Sequence, residues 1–267
     1  MISLAVYLFI LGLCFGSFVG ALTWRIHKNM DFVKARSQCD ICGHILEPKD
    51  LIPLFSWLYL KGKCRYCGKP ISMEMPLVEL TTAAIFVLSY LFWPTSLDLA
   101  GNLVLFVTWL ICSVGLVALA LYDLKWMLLP SKILYPTLLV AIVGQFIYLI
   151  GYAPNKLHYG LSWLAAVAVA SGIFLIIFTV SSGRWIGYGD VRLGLITGTL
   201  LQTPGKSLLM IFLASVLGSL AVLPLLATGK KSLSAKLPYG PFLIFSTYLC
   251  IVFGDSLISW YQNLFLP

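Results

Sequence analysis

The residues best placed to do chemistry are two aspartates that stand alone among apolar stretches. Asp190 closes the Gly-Tyr-Gly-Asp run at 187–190, and Asp123 follows the apolar residues 118–122. An isolated carboxylate within membrane-like surroundings is costly, so it indicates a functional site. Two carboxylates that share a site do not both ionise easily, which separates their pKa values and provides one acid and one base. The pattern predicts a catalytic pair.

Helix capping is the structural alternative for both acids. Aspartate is favoured at a helix N-terminus, and each acid stands where an apolar helix could begin. Lys125 and Arg192 each follow an aspartate by two residues, a spacing that does not bring side chains together on a helix. Local ion pairing therefore does not explain the acids, and the residues alone leave capping and catalysis equally open.

Four cysteines form a second group with chemical potential. They are arranged as two Cys-x-x-Cys pairs about 20 residues apart, each followed by glycine, a spacing that predicts a four-thiolate zinc ribbon. The predicted metal ligands are Cys39, Cys42, Cys64 and Cys67. Disulfides are the alternative, and a reducing cytoplasm disfavours them. His44 is a possible competing ligand, which we interpret as a solvated loop residue.

Composition sets the class of protein. Of 267 residues, 60% are hydrophobic and 10% are charged, whereas soluble domains carry about 25% charged residues. The sequence therefore predicts an all-α polytopic membrane protein. Residues 1–24 lack a basic start and a clear cleavage site, so we expect a retained helix instead of a signal peptide.

Eight apolar segments are candidate transmembrane helices. Their predicted bounds are 1–24, 76–93, 99–121, 133–151, 160–181, 190–202, 206–227 and 240–262. The sixth is short and contains glycines, which suits a segment that lines a cavity.

Lysine and arginine predict the orientation. With the N-terminus outside, 16 basic residues fall on the inner side and 2 on the outer side. The inner ones are Arg25, Lys28, Lys34, Arg36, Lys49, Lys61, Lys63, Arg65, Lys69, Lys125, Lys132, Arg184, Arg192, Lys230, Lys231 and Lys236. Both aspartates then lie at the cytoplasmic ends of their helices. The net charge of +8 is explained by this bias, so no nucleic acid is expected as a partner.

We expect three regions. Residues 1–24 are the first transmembrane helix, residues 25–75 are a small cytoplasmic zinc-ribbon-like insertion, and residues 76–267 form the polytopic catalytic region. The insertion has too few residues for a large core, so a bound metal would supply much of its folding energy. Four thiolates leave no open coordination position, so the predicted zinc is structural.

Motifs along nearly the whole chain resemble one family in order. They include Phe-Gly-Ser-Phe at 15–18 with Arg25, Arg-Ser-Gln-Cys at 36–39, Asp-Leu-Ile-Pro-Leu-Phe-Ser-Trp-Leu at 50–58, Lys-Gly-Lys-Cys-Arg-Tyr-Cys at 61–67, Pro-Ile-Ser at 70–72, Pro-Leu-Val-Glu-Leu at 76–80, Asp123 with Met-Leu-Leu-Pro at 127–130, Gly-Tyr-Gly-Asp at 187–190 with Leu193, and Pro-Tyr-Gly-Pro-Phe at 238–242. With these motifs the chain resembles the bacterial type IV prepilin peptidases, membrane aspartic peptidases of the Gly-x-Gly-Asp class.

The resemblance implies a function and a location. Such an enzyme removes the short basic leader of prepilins and pseudopilins at the cytoplasmic face of the bacterial inner membrane, with Asp123 and Asp190 as the catalytic pair. The four cysteines would be the zinc site of long-form members. Many members also methylate the new N-terminal amine with S-adenosylmethionine, for which the residues themselves indicate no binding site.

Substrate contacts are predicted at three positions. The glycines before Asp190, Gly187 and Gly189, would let a substrate or a partner helix approach closely. Glu79 lies just inside an apolar helix, where it could attract a basic leader or simply favour the helix dipole. The chain departs from the family pattern at Gly20, at His27, at Met75 and at Arg192, where lysine is usual.

Two other classes of protein remain as alternatives. A transporter would use Asp123 and Asp190 as proton or cation sites, and it would be expected to contain inverted repeats that the sequence does not display. A non-enzymatic scaffold would present the zinc ribbon to a partner, which leaves both acids unexplained.

Overall fold

The computed structural model describes residues 2–31, 36–227 and 238–265. Lys34, Lys230, Lys231 and Lys236, which contributed to the predicted orientation, lie outside these residues. Within the described residues the secondary structure is helical apart from two isolated β-bridges, Gln38 with Ile45 and Lys63 with Pro70. The expected all-α class is confirmed.

Long apolar helices make up most of the chain. Seven of the described helices are long and apolar enough to cross a membrane. The α-helices are α1 (Ile2–His27), α2 (Phe55–Tyr59), α3 (Glu74–Leu91), α4 (Ala100–Trp126), α5 (Ser131–Gly151), α6 (Lys156–Ser181), α7 (Tyr188–Leu201), α8 (Pro204–Ala227) and α9 (Gly240–Phe265). A short 3-10 turn covers Pro48–Asp50.

Each of the eight predicted segments is a helix. The predicted sixth segment is α7, whose 14 residues are fewer than a membrane span needs, so seven spans remain where the sequence indicated about eight. The largest shift in a boundary is at the end of α4, which continues to Trp126 instead of stopping near 121. Asp123 therefore lies inside the last turn of a helix.

The chain divides into two compact units. The first contains residues 1–92 and 113–121, and the second contains residues 93–112 and 122–267. The three regions predicted from the sequence, 1–24, 25–75 and 76–267, divide the chain differently, and that division stays a prediction.

In the first unit, α1 packs closely on α3 through glycines. A Cβ atom on Gly16 would lie 2.5 Å from the Cα atom of Glu79, and one on Gly12 would lie 2.5 Å from that of Ala83. Contact this close is possible only because the glycines on α1 have no side chain, as in other small-residue helix interfaces of membrane proteins. The packing fixes Glu79 against the first helix.

In the second unit, α7 packs on α6 in the same manner. A Cβ atom on Gly194 would lie 2.8 Å from the Ala170 carbonyl oxygen, and one on Gly198 would lie 2.8 Å from the Cα atom of Val167. The Ser171 hydroxyl on α6 also donates to the Val191 carbonyl at 3.0 Å. These contacts hold α7 along its length and so fix the position of Asp190 in its first turn.

Candidate active site

Asp123 is buried in the last turn of α4. Its side chain is only 6% exposed, and the backbone N–H of Gly240 donates to its Oδ2 atom at 3.1 Å. Gly240 is the first residue of α9, where backbone N–H groups have no partner within the helix. The start of α9 therefore supplies a donor and the positive end of a helix dipole to Asp123.

Asp190 is the third residue of α7, and Gly187 is the N-cap of that helix. Burial, and then the charge of Asp123, raise the pKa of the Asp190 carboxyl to about 6, while a hydrogen bond from the Gly187 backbone lowers it. Both aspartates belong to the second unit, and a Cβ atom on Gly189, next to Asp190, would lie 3.1 Å from Leu129 in the segment after Asp123. The structure therefore brings together the segments that carry the two acids that the sequence singled out.

Both acids contact the start of a helix. Asp190 accepts a hydrogen bond from the Gly187 backbone at the start of α7. Asp123 lies at the C-terminal end of α4, where helix carbonyls and not N–H groups lack partners, so it does not cap its own helix. It accepts instead from Gly240, the first residue of α9. Capping therefore does not distinguish the two acids, and their catalytic role stays a prediction.

Tyr239 is a neighbour of the pair that the sequence reasoning did not assign to the site. Burial, and to a smaller extent the charge of Asp190, raise the pKa of its hydroxyl. That hydroxyl lies 3.3 Å from the Ser215 Oγ atom, and the ring meets Phe174 edge-on at 5.9 Å. Tyr239 and Gly240 are consecutive, so one short segment contacts the surroundings of both aspartates. The only sequence signal was the Pro-Tyr-Gly-Pro-Phe motif at 238–242.

The two glycines of the Gly-Tyr-Gly-Asp run have different surroundings. A Cβ atom on Gly189 would come within 3.1 Å of Leu129, so this glycine permits close packing against the segment after Asp123. A Cβ atom on Gly187 would meet nothing closer than the Asp190 Oδ2 atom at 3.6 Å. The space beside Gly187 is compatible with a bound substrate, and substrate contact at both glycines stays a prediction.

The four predicted metal ligands form one cluster in the first unit. Their sulfur atoms all lie within 4.8 Å of one another, and the sulfurs of Cys39 and Cys67 are 3.9 Å apart. Four Zn–S bonds of about 2.3 Å in a tetrahedron would place the sulfurs about 3.8 Å apart. Each of these cysteines has a free thiol, which does not support the disulfide alternative. The cluster can hold a metal ion.

The same backbone turn presents each half of the cluster. The N–H of Gly43 donates to the Cys39 carbonyl, and the N–H of Gly68 donates to the Cys64 carbonyl, both at 2.9 Å. Both glycines have φ of +68°, a left-handed conformation that glycine adopts without strain. His44 is exposed, and its ring packs on that of Tyr66 with the centroids 3.6 Å apart. Its place outside the metal shell stays a prediction.

Hydrogen bonding in the cluster favours the deprotonated form of the Cys39 thiol. The backbone N–H of Cys42 donates to the sulfur of Cys39 and is the main reason that the pKa of this thiol is lowered to about 7. The Lys69 backbone lowers the pKa of Cys67, but desolvation and hydrogen bonds with the other thiols raise it to about 11. A bound cation would favour deprotonation of all four sulfurs together.

Glu79 lies in the first unit, on the side of α3 that faces α1. It is 7% exposed, its Oε2 atom accepts a hydrogen bond from the Leu54 backbone at 2.6 Å, and the Ser17 side chain also donates to it. Leu54 has φ of 62° and ψ of −50°, a strained conformation for a leucine. No motif in the sequence indicates this contact, and the predicted role of Glu79 toward a basic leader stays a prediction.

Comparison with known proteins identifies the family. Residues 10–93 match the model of the bacterial peptidase A24 N-terminal domain, and residues 109–223 match that of the type IV leader peptidase family. Similar proteins named prepilin leader peptidase/N-methyltransferase come from several bacteria. That of Bacillus subtilis is 33% identical over 262 residues, which cover 97% of this chain and 98% of the relative.

Two further relatives carry the same name. That of Aeromonas hydrophila is 32% identical over 239 residues, covering 86% of this chain and 76% of the relative. That of Pseudomonas aeruginosa is 26% identical over 277 residues, covering 94% of this chain and 91% of the relative. No solved structure matches the chain. The protein is a multi-pass membrane peptidase, and it belongs to the type IV leader peptidase family. The transporter alternative receives no support from these relatives.

Replacing Gly240 by Ala is expected to lower peptidase activity by about 100-fold or more, because small displacements of catalytic groups have effects of this size. The added Cβ atom would lie 2.7 Å from the Asp123 Oδ2 atom, so the carboxylate or the start of α9 must move. The measurement is the rate of prepilin cleavage by purified protein. Gly172→Ala is the matched control, because a Cβ atom there meets nothing within 4 Å. Equal rates in the two variants would contradict a close fit at Gly240.

Proposed function

We propose that the protein is a membrane-embedded aspartic endopeptidase that removes the basic leader of type IV prepilins and pseudopilins at the cytoplasmic membrane face. The observation that supports this function best is the pairing of Asp123 with Asp190 within the second unit, where the charge of one raises the pKa of the other. The curated relatives, all named prepilin leader peptidase/N-methyltransferase, support the choice of substrate.

The surroundings of the two acids suggest how the roles are divided. We assign Asp123, which accepts the Gly240 hydrogen bond, as the base that draws a proton from water. Asp190, with its pKa raised to about 6, is the partner that holds the shared proton and donates a hydrogen bond to the scissile carbonyl oxygen. The carbonyl becomes more electrophilic as the water becomes more nucleophilic.

We further propose that Cys39, Cys42, Cys64 and Cys67 bind one structural zinc ion. Four thiolates close the coordination shell, so the metal stabilises the cytoplasmic segment and takes no direct part in hydrolysis. The N-methyltransferase activity in the relatives' names suggests S-adenosylmethionine as a second cofactor. It would supply the methyl group that the new N-terminal amine accepts after cleavage.

The proposed location is the bacterial inner membrane, with the N-terminus outside. The excess of lysine and arginine on one side supports this orientation. It places the cysteine cluster and both aspartates toward the cytoplasm, where a leader that has not crossed the membrane can reach them.

Co-expression with a prepilin tests the proposed function. We expect the prepilin to shorten by its leader when the protein is present, and the mass of its new N-terminus to show cleavage directly before the hydrophobic helix. The control is the same prepilin expressed with the chain that carries both Asp123→Ala and Asp190→Ala. Equal processing in the two cultures would favour the scaffold or transporter alternatives.

A further inference from the structure

A groove in the second unit lies between α8 and the start of α9. Its volume is about 460 Å³, within the range of pockets that bind ligands. Gly218, Ser219 and Val222 line it from α8, and Tyr239 and Phe242 line it from the other side. The division of roles between the two aspartates gives this groove no part in hydrolysis.

Tyr239 connects the groove to the candidate active site. The next residue, Gly240, donates its backbone N–H to the Asp123 Oδ2 atom at 3.1 Å. Consecutive Cα atoms are about 3.8 Å apart, so the wall of the groove begins one residue away from a group that contacts the carboxylate. The Tyr239 hydroxyl also lies 3.3 Å from the Ser215 Oγ atom on α8, which ties the two walls together. The groove therefore starts beside the position that a bond cleaved at Asp123 has to occupy.

The α8 wall of the groove is formed by small residues. A Cβ atom on Gly218 would be 3.7 Å from the Phe242 ring, an ordinary contact distance, so the glycine leaves space in front of that ring. The hydroxyls of Ser215 and Ser219 donate to carbonyls of their own helix at 2.9 and 2.8 Å. Small residues with internally bonded hydroxyls allow an apolar segment or another helix to approach closely.

The groove opens at an exposed face of α8. Among the described helices that could cross a membrane, α8 has the smallest buried share of its apolar window, 17%. Leu223, which also lines the groove, is 58% exposed. We expect apolar side chains this exposed on a membrane-spanning helix to face lipid. An apolar helix that already lies in the membrane can then enter the groove from the side.

We propose that this groove binds the first apolar side chains of the mature prepilin, those that directly follow the cleaved bond. The inference rests on the proposed peptidase function and adds the place where the hydrophobic helix of the substrate docks. Extended chain spans about 3.3–3.6 Å per residue, so these side chains must lie within a few residues' reach of the aspartates. The groove is the apolar surface that begins at that distance, on the residue before Gly240.

Narrowing the groove tests its selectivity. Gly218→Leu places a branched side chain in front of Phe242. It should lower kcat/KM by about tenfold or more for a prepilin with phenylalanine as its first mature residue, and by clearly less for one with alanine there. Gly172→Leu is the matched control on α6, because a Cβ atom at Gly172 meets nothing within 4 Å. It should keep the parent's ratio of the two rates. Equal losses on both prepilins in a folded Gly218→Leu variant would contradict the proposal.

Photo-crosslinking tests the location without narrowing the groove. Benzoylphenylalanine in place of Val222 should crosslink to the prepilin in the chain that carries Asp123→Asn, which is expected to leave its substrate uncleaved. Leu220 is the control position, because it is 59% exposed on α8, does not line the groove and lies two residues before Val222, a spacing that separates the two side chains on a helix. It should give little crosslinking to the prepilin.

The other outcomes separate this inference from the proposed function. Equal crosslinking at both positions would mean that the prepilin touches α8 without entering the groove, and crosslinking of Val222 to lipid alone would mean that lipid fills it. Either result would overturn the docking site, whereas cleavage by the parent chain would still support the peptidase. If the parent chain cleaves neither prepilin, the proposed function and this inference are both wrong.

Discussion

Replacing either Asp123 or Asp190 by Asn is expected to abolish leader cleavage, with a loss of about 1,000-fold or more, because acid–base groups contribute on this scale. Asparagine keeps the size of the side chain and can still accept the Gly240 hydrogen bond at position 123. It does not ionise and does not share a proton with its neighbour. The two single variants and the double variant should therefore be almost equally inactive, because the carboxylates act as a unit. The measurement is single-turnover cleavage of a purified prepilin.

Asp98→Asn is the matched control for this experiment. Asp98 is an exposed acid before α4 whose carboxylate accepts from the Ser96 hydroxyl at 2.8 Å. Its replacement should leave the cleavage rate within a factor of about two, as expected for surface changes. A rate close to that of the parent in either Asp123→Asn or Asp190→Asn would assign that aspartate to helix architecture and would remove the proposed mechanism.

Replacing Cys64 by Ser is expected to remove the metal and to unfold the cytoplasmic segment. Cys64 is 4% exposed, and its sulfur is one of the four in the cluster. Structural zinc contributes about 10–16 kcal/mol to the folding of small domains, more than a segment of this size can replace with hydrophobic contacts. Elemental analysis should find one zinc per parent chain and almost none in the variant. Limited proteolysis should then cut the variant between residues 36 and 72.

Cys14→Ser controls for the loss of a thiol as such. Cys14 is a free, exposed cysteine on α1 and does not belong to the cluster. Its variant should keep the metal and resist the protease. Metal-free but folded parent protein with disulfides in its mass spectrum would contradict the zinc proposal. Cleavage should fall less in Cys64→Ser than in the aspartate variants, because the metal only supports structure.

Hydrophobicity was sufficient to find the helices, and it was least reliable where polar residues continue a helix. Asp123 and Lys125 suggested a loop after residue 121, but α4 continues until Met127 adopts a left-handed conformation with φ of 53°. At the other extreme, α6 begins four residues earlier than predicted because the Asn155 side chain accepts from the His158 backbone at 3.0 Å and caps the helix. Both ends depend on local hydrogen bonding that a hydropathy pattern does not record.

The sequence predicts the acidic residues of the candidate site but not the backbone groups that contact them. An isolated aspartate in an apolar segment is conspicuous in a sequence because burying it is expensive. Gly240 is 117 residues away from Asp123, and nothing in its local sequence indicates that its backbone N–H contacts a carboxylate. The same holds for the Leu54 backbone and Glu79, which are 25 residues apart. Backbone donors have no sequence signature, so only the folded chain reveals them.

The short length of α7 has a consequence for the supply of water. Fourteen helical residues extend about 21 Å, whereas the hydrocarbon layer is about 30 Å thick, so α7 falls short by roughly 9 Å. Backbone groups at an end inside the bilayer need polar partners, because lipid offers none. Asp190 lies in the first turn of α7, so we expect its carboxylate and water to be such partners if that end lies below the membrane surface. The missing helical turns would then give water, the second reactant of hydrolysis, a path to the two aspartates.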